Sequence, residues 1–301
     1  MKVIVSGSSG LVGTALIDSL RPEGHSIARL VRSTSAATAD ATSKMIRWEP
    51  PNGSIDLAAM EGADAVVHLA GASVASGRWT AARKQVLRRS RVDATRHLVT
   101  GLTQLKQKPR VLVSASAIGY YGDRGDEVLT EMSSPGNDFL AQLCRDWEAE
   151  AAKAEHEGIH TIMLRFGIIL AAHGGALQKM LPAFRLGLAG RLGNGQQWMS
   201  WITLHDVVAL IRHAIDHEAP RGPVNAVAPN AVTNAEFTSV LAEVLHRPAL
   251  LPAPRFALRL ALGEMSDALV ASQRVSPEKL NGTVFAFAHP RLKEALQSVL
   301  N

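Results

Sequence analysis

The sequence predicts an α/β fold: a doubly wound parallel sheet with a smaller C-terminal α+β unit. Three observations predict it. Short apolar runs alternate with amphipathic stretches through the first half, the rhythm of strands crossed by helices on both faces of a sheet. A glycine-rich turn directly follows the first apolar run. Beyond Gly167 the alternation loosens, and glycines and prolines cluster between Gly174 and Gly195. The chain has 301 residues, 47% hydrophobic and 20% charged, which suits one large unit plus one small one and argues against disorder. The expected division is 1–167, joined by 201–229, for the sheet domain, and 168–200 with 230–301 for the small substrate-side domain.

The elements follow in order. Strands are expected at 2–6, 26–31, 45–48, 63–70, 110–115 and 160–166, where β-favouring apolar residues gather in short runs. Helical periodicity covers 11–20, a long stretch 80–105, and 138–157. The last of these has Asn137 or Asp138 as its cap and a stop near Gly158. In the second half, 204–216 and 233–245 read as helices, with Thr233 or Asn234 capping the latter. Residues 223–226 read as a strand, 248–254 as a proline-rich connector, and 290–300 as a final helix. Residues 33–43, rich in small residues, read as a loop.

Composition narrows the partners. The single cysteine, Cys144, excludes an internal disulfide and a cysteine-built zinc site, and it suits a reducing cytoplasm. No apolar run reaches membrane-spanning length, and the start lacks a signal-like pattern. The net charge of +5 is compatible with anionic ligands but too diffuse for a nucleic-acid binder. The 11 histidines show no metal-ligand spacing, so no metal is expected.

Gly7-Ser8-Ser9-Gly10-Leu11-Val12-Gly13 places three glycines between a strand and a helix. There the backbone can approach a pyrophosphate resting on the helix N-terminus. A ligand-free turn is the alternative, and the βαβ context favours a dinucleotide. The next strand ends in Arg32-Ser33, where NAD binders usually show an acid. A guanidinium suits the 2′-phosphate of NADP(H); a solvated surface arginine is the other reading. Leu69-Ala70-Gly71 at a strand end leaves room for the adenosine half.

These stretches resemble the extended short-chain dehydrogenase/reductase superfamily. The closer likeness is to an epimerase-like (NAD-dependent epimerase/dehydratase) family with a C-terminal domain of unassigned function. It is carried by the glycine turn with Arg32, and by Leu69-Ala70-Gly71 with Gly77-Arg78-Trp79-Thr80, Lys84 and Ser90-Arg91. It continues through the run 114–122, then Asp138-Phe139-Leu140-Ala141, Cys144 and Trp147-Glu148. It ends with Gly263-Glu264-Met265, Ser272-Gln273-Arg274-Val275 and Pro277-Glu278-Lys279-Leu280. The resemblance implies a Rossmann-type fold, NADP(H) as cofactor and no assigned reaction. The residues expected to hold the cofactor are Gly7 to Val12, Arg32, Ser33 and Leu69 to Gly71. Arg91, Ser114, Ala115 and the run Arg165-Phe166-Gly167-Ile168 complete the set.

Superfamily enzymes carry Tyr-x-x-x-Lys on the helix after the fifth strand, two side chains on one helix face. Aligning on Glu148 puts Leu140 in the tyrosine slot and Cys144 in the lysine slot. Leucine transfers no proton, and cysteine carries no ammonium charge. Ser116 matches the superfamily's catalytic serine. Tyr120 or Tyr121, in the next loop, is expected to offer a phenol instead, unless both are packing residues. Mid-helix Cys144 reads as an inert buried thiol.

In the second half Met199 replaces the arginine with which sugar-nucleotide epimerases grip a diphosphate. Asp206 is expected to cap the following helix. Trp198, Met199 and Trp201 form either an apolar site wall or a core strand. The basic stretch Arg83, Lys84, Arg88, Arg89, Arg91 and Arg96 reads as a solvated helix face, with nucleic-acid binding as the other reading. In related enzymes this helix pairs with the one from Asp138 across a homodimer. The expected function is NADP(H)-linked hydride transfer on an unidentified small carbonyl or hydroxyl compound, with a sugar-nucleotide-like one retained. The alternative is a non-catalytic NADP(H) sensor.

Overall fold

The computed structural model describes residues 1–32, 43–217 and 220–300. Its central sheet runs, edge to edge, Gly222–Ala226, His160–Phe166, Val111–Ala117, Ala65–His68, Lys2–Ser6, Ser26–Val31, Lys44–Glu49 and Ser54–Ile55. The last pair is antiparallel; the other neighbours are parallel. Apolar side chains alternate to both faces. Val3, Val5 and Val67 pack on the helix Leu11–Leu20 and its neighbour Leu204–Asp216. Ile4, Val66 and Leu112 pack on Leu98 and Leu102 of Ala94–Thr103. The order of the strands reverses beside Lys2–Ser6, and a crevice opens at the carboxyl ends there.

Several boundaries differ from the sequence reading, each for a local reason. The strand expected at 63–70 stops at His68. Beyond it the Leu69 N–H is shared between the Ser6 carbonyl and Ser6 Oγ, and the Ala70 N–H turns to Ser6 Oγ. The long helix is broken by a π turn, Arg89–Asp93, between Ala81–Arg88 and Ala94–Thr103. The helix from residue 138 is α over Phe139–Ala152, capped by Asp138, and tightens to a 3-10 turn at Lys153–Glu157. Thr203, not Asp206, caps Leu204–Asp216. Asp206 sits a turn in, accepts the Thr203 hydroxyl, and holds the Ala288 and His289 N–H groups.

A second apolar cluster gathers Leu177, Leu181, Trp201, Phe237, Leu241 and Leu296. The helices Gly175–Arg185, Asn234–Leu245 and Leu292–Leu300 supply most of it. Two short helices that the sequence reading did not resolve, Arg255–Leu262 and Met265–Val270, cover the mouth of the crevice. Among the described residues, no helix is long and apolar enough to cross a membrane.

Candidate functional site

A cavity of about 1060 Å³ runs from the glycine turn, across the strand ends, to those two helices. Gly7 adopts φ +66°, and a Cβ there would lie 2.6 Å from the Leu69 carbonyl carbon. At Gly13 it would lie 2.3 Å from the Gly7 oxygen. Only glycine permits this close approach of turn, helix and strand. Gly10 caps the helix Leu11–Leu20 without a side-chain acceptor. The first-turn residues Leu11 and Val12 line the cavity, leaving N–H groups for an anion.

The turn rests on a buried polar relay. Ser6 Oγ accepts the Leu69 and Ala70 N–H groups, so its proton points to His68 Nδ1 at 2.7 Å. His68 is therefore protonated at Nε2, which donates to Thr95 Oγ1 at 3.0 Å. Burial, reinforced by the charge of Arg91, pulls the His68 pKa down to about 4 and keeps the ring neutral.

The π turn presents Ser90 and Arg91 to the next loop. Ser90 Oγ accepts the Ala72 N–H, and Arg91 Nη1 donates to the Ala72 carbonyl at 2.9 Å. A Cβ on Gly71 would lie 3.1 Å from the Arg91 guanidinium carbon. Among the described residues no carboxylate pairs with Arg91. Its charge lines the cavity beside the glycine turn.

The floor of the cavity departs from the expected chemistry. Leu140 and Cys144 both line it, and Leu140 lies against Gly119. Burial pushes the Cys144 thiol up to about 12. Ser116 lines it too and donates to Glu148 Oε1 at 2.6 Å. Arg165 grips both Glu148 oxygens, at 2.8 and 2.7 Å.

Three expected site residues lie behind this floor. Arg165 is 2% exposed and committed to Glu148 and to Tyr121 Oη. Tyr121 is fully buried, donates to Asn225 Oδ1, and is pushed up to about 12 by burial. Tyr120 stacks its ring on the Arg165 guanidinium, 3.5 Å away. Both tyrosines belong to the 3-10 turn Ile118–Tyr121, and neither is among the residues that line the cavity. Both rings lie against the Arg165 guanidinium.

The remaining expected cofactor residues divide. Ala70, Ala115, Phe166, Gly167 and Ile168 line the cavity. Ser8 and Ser114 are buried behind it, and Ser9 is on the exposed side of the turn. Arg32 is exposed at its strand end with no partner among the described residues. Ser33 falls outside the described residues.

The motifs that are far apart in sequence meet here. The Arg78 guanidinium donates to the Leu260 and Ala261 carbonyls, and Lys84 pairs with Glu264 at 2.6 Å. Ser272 holds Asp123 and the Gly125 carbonyl. Gln273 Nε2 donates to the Ile118 and Gly122 carbonyls. The C-terminal segment thus clamps the tyrosine loop. The sequence reading missed the role of Glu148, which served there only as an alignment anchor.

Trp198 and Met199 line the cavity, whereas Trp201 is fully buried in the second core. In the basic stretch, Arg88 pairs with Asp146 and Arg96 with Glu150. His205, Asp206 and His289 cluster within 4.8 Å. Asp206 there already accepts three donors, which accounts for the cluster as a strap on the C-terminal loop.

Comparison with known proteins matches this architecture. Residues 3–227 match the NAD dependent epimerase/dehydratase family, and residues 253–299 match a domain of unknown function, DUF1731. Epimerase family protein MT2273 of Mycobacterium tuberculosis is 42% identical over 98% of this chain and 96% of its own length. The chloroplastic SDR39U1 homolog of Arabidopsis thaliana is 36% identical, covering 100% of this chain and 87% of its own. The crystal structure of human epimerase family protein SDR39U1 (isoform 2) with NADPH superposes with a TM-score of 0.90. It is 30% identical over 99% of both chains.

Proposed function

We propose that this chain, which belongs to the NAD dependent epimerase/dehydratase family, binds NADP(H) along the glycine turn and exchanges hydride with a small carbonyl or hydroxyl compound above Ser116. One observation carries the reading: a single cavity joins the glycine cradle to a serine backed by a buried carboxylate. The cradle fits a dinucleotide, because the atoms a Cβ would meet leave room only for backbone and ligand. Gly7, Gly10 and the first turn after it would hold the diphosphate with Arg91. Arg32 would meet a 2′-phosphate, as the NADPH of the human relative suggests.

A bound nicotinamide supplies or accepts the hydride. The chain's own residues handle the oxygen. In oxidation the substrate hydroxyl gives its proton to Ser116 Oγ, which releases its own to Glu148 Oε1; reduction reverses both transfers. Arg165 holds Glu148 in line for Ser116. This route uses no tyrosine or lysine.

The test is transfer of deuterium from stereospecifically labelled NADPH to a panel of aldehydes, ketones and keto acids, in wild type and Ser116→Ala. Transfer that drops at least about 100-fold in Ser116→Ala supports the route. Transfer that is unchanged removes Ser116 from it. Tight NADPH binding with no transfer at all favours the second reading, a sensor. The observation behind that second reading is the apolar Leu140 and inert Cys144 on the cavity floor.

A further inference from the structure

We infer that the half of the cavity away from the glycine turn takes a mostly apolar compound bearing one anionic group, which Arg255 selects. The inference rests on the reading above only in taking this half as the substrate side. Its walls are Trp79, Phe139, Trp198, Met199, Phe256 and Leu258. Most of the polar side chains between them are engaged within the protein. Asp267 holds Arg259 through both oxygens, at 2.8 and 2.9 Å. Glu264 holds Lys84. Asp138 Oδ1 accepts the Ala141 N–H, and Asp123 Oδ1 accepts the Ser272 N–H.

Three neutral side chains are engaged as well. Ser200 donates to the Gln273 carbonyl and accepts the Val275 N–H. Ser266 donates to the Gly263 carbonyl. Gln273 gives its amide to two carbonyls. A sugar nucleotide would bury many hydroxyl and amide groups against these engaged partners, and each unmet group opposes binding. An apolar body meets no such penalty.

Among the described residues, Arg255 is the cation of this half that no carboxylate holds. It lines the cavity, it is exposed, and its guanidinium has no partner among the described residues. Its stem packs over Gly193, 3.3 Å from where a Cβ would stand. The helix it begins, Arg255–Leu262, buries none of its residues, and Phe256 on the cavity wall is 76% exposed. Exposed apolar surface beside an unpaired cation at a cavity mouth is complementary to a ligand with an apolar body and an anionic end.

The test is calorimetric titration of the full chain, saturated with NADPH, with two probes that share aromatic rings. 1-Anilinonaphthalene-8-sulfonate carries an anion; N-phenyl-1-naphthylamine does not. Each is expected to bind once per chain. Arg255→Ala is expected to weaken the sulfonate about tenfold and leave the amine unchanged. Phe256→Asp is expected to weaken both, and millimolar UDP-glucose to displace neither. An unchanged sulfonate affinity in Arg255→Ala overturns the inference, as does displacement by UDP-glucose. NADPH affinity is measured separately on each variant. The titrations are repeated without NADPH; a chain that bound no NADPH yet gave this probe pattern there would sink the cofactor reading and leave the apolar-anion assignment standing.

Discussion

The two ends of the cavity are built on opposite principles. At the glycine end, donors are left open: a helix N-terminus without a side-chain cap, and Arg91 without a carboxylate. At the far end, most polar side chains are held by cations or backbone groups, and aromatic and aliphatic side chains form the wall. The first arrangement waits for a polyanion. The second has little hydrogen-bonding capacity to offer. Between them the Ser116–Glu148–Arg165 chain is the polar link at the floor. The difference teaches that binding chemistry here follows from which polar groups the fold leaves unmatched, more than from which residues are present.

Removing that link should have the largest effect. Glu148→Ala strands the Arg165 charge in the interior and is expected to cost about 3–5 kcal/mol in urea unfolding. A loss under about 1 kcal/mol would show that water reaches Arg165 and that the floor is not a dry boundary.

The relay under the glycine turn should respond to acid. Between pH 6.5 and about 4, the unfolded chain binds a proton that folded His68 refuses. Stability from this group is present above that window and is lost as pH falls through it, by about 3 kcal/mol in all. Subtracting the urea-unfolding profile of His68→Gln from that of wild type isolates the slope. Parallel profiles would show that His68 takes up its proton in the folded state.

The glycine end can be broken alone. Gly7→Ala sets a Cβ against the Leu69 backbone at positive φ and should weaken NADPH about 100-fold, or about 2.7 kcal/mol. The far-end probes should bind as before; a parallel loss there would mean the two ends form one unit. The smallest change expected is at Arg32. Arg32→Asp should lower NADPH affinity about tenfold while NADH affinity holds or rises. Equal affinities of the wild type for both cofactors would remove Arg32 from phosphate recognition.

What the sequence disclosed was local. The glycine turn announces itself within seven residues, and the i, i+4 spacing of Leu140 and Cys144 exposes the missing acid–base pair. What stayed hidden depends on distant partners. Glu148 meets Arg165 across 17 positions and Tyr121 meets Asn225 across 104. Adjacent aromatics look alike in sequence whether they face a ligand or enclose an ion pair, so Tyr120 and Tyr121 were open to both readings. Arg78 and Lys84 reach their C-terminal partners across at least 180 positions. The helix Arg255–Leu262 escaped notice because it is eight residues long and buries none of them.

The π turn at Arg89–Asp93 carries a consequence for how this chain tolerates change. Deleting one residue there would let the helix run as uninterrupted α from Ala81 to Thr103, with tighter hydrogen bonds. A π turn takes up about one residue more than an α turn, so the same deletion would keep the flanking helices nearly in phase while removing the bulge itself. Ser90 and Arg91 would then swing off the Gly71–Ala72 loop they now hold. A shorter, more regular helix would thus give a sturdier molecule with its cationic groove dismantled, an exchange of persistence for occupancy.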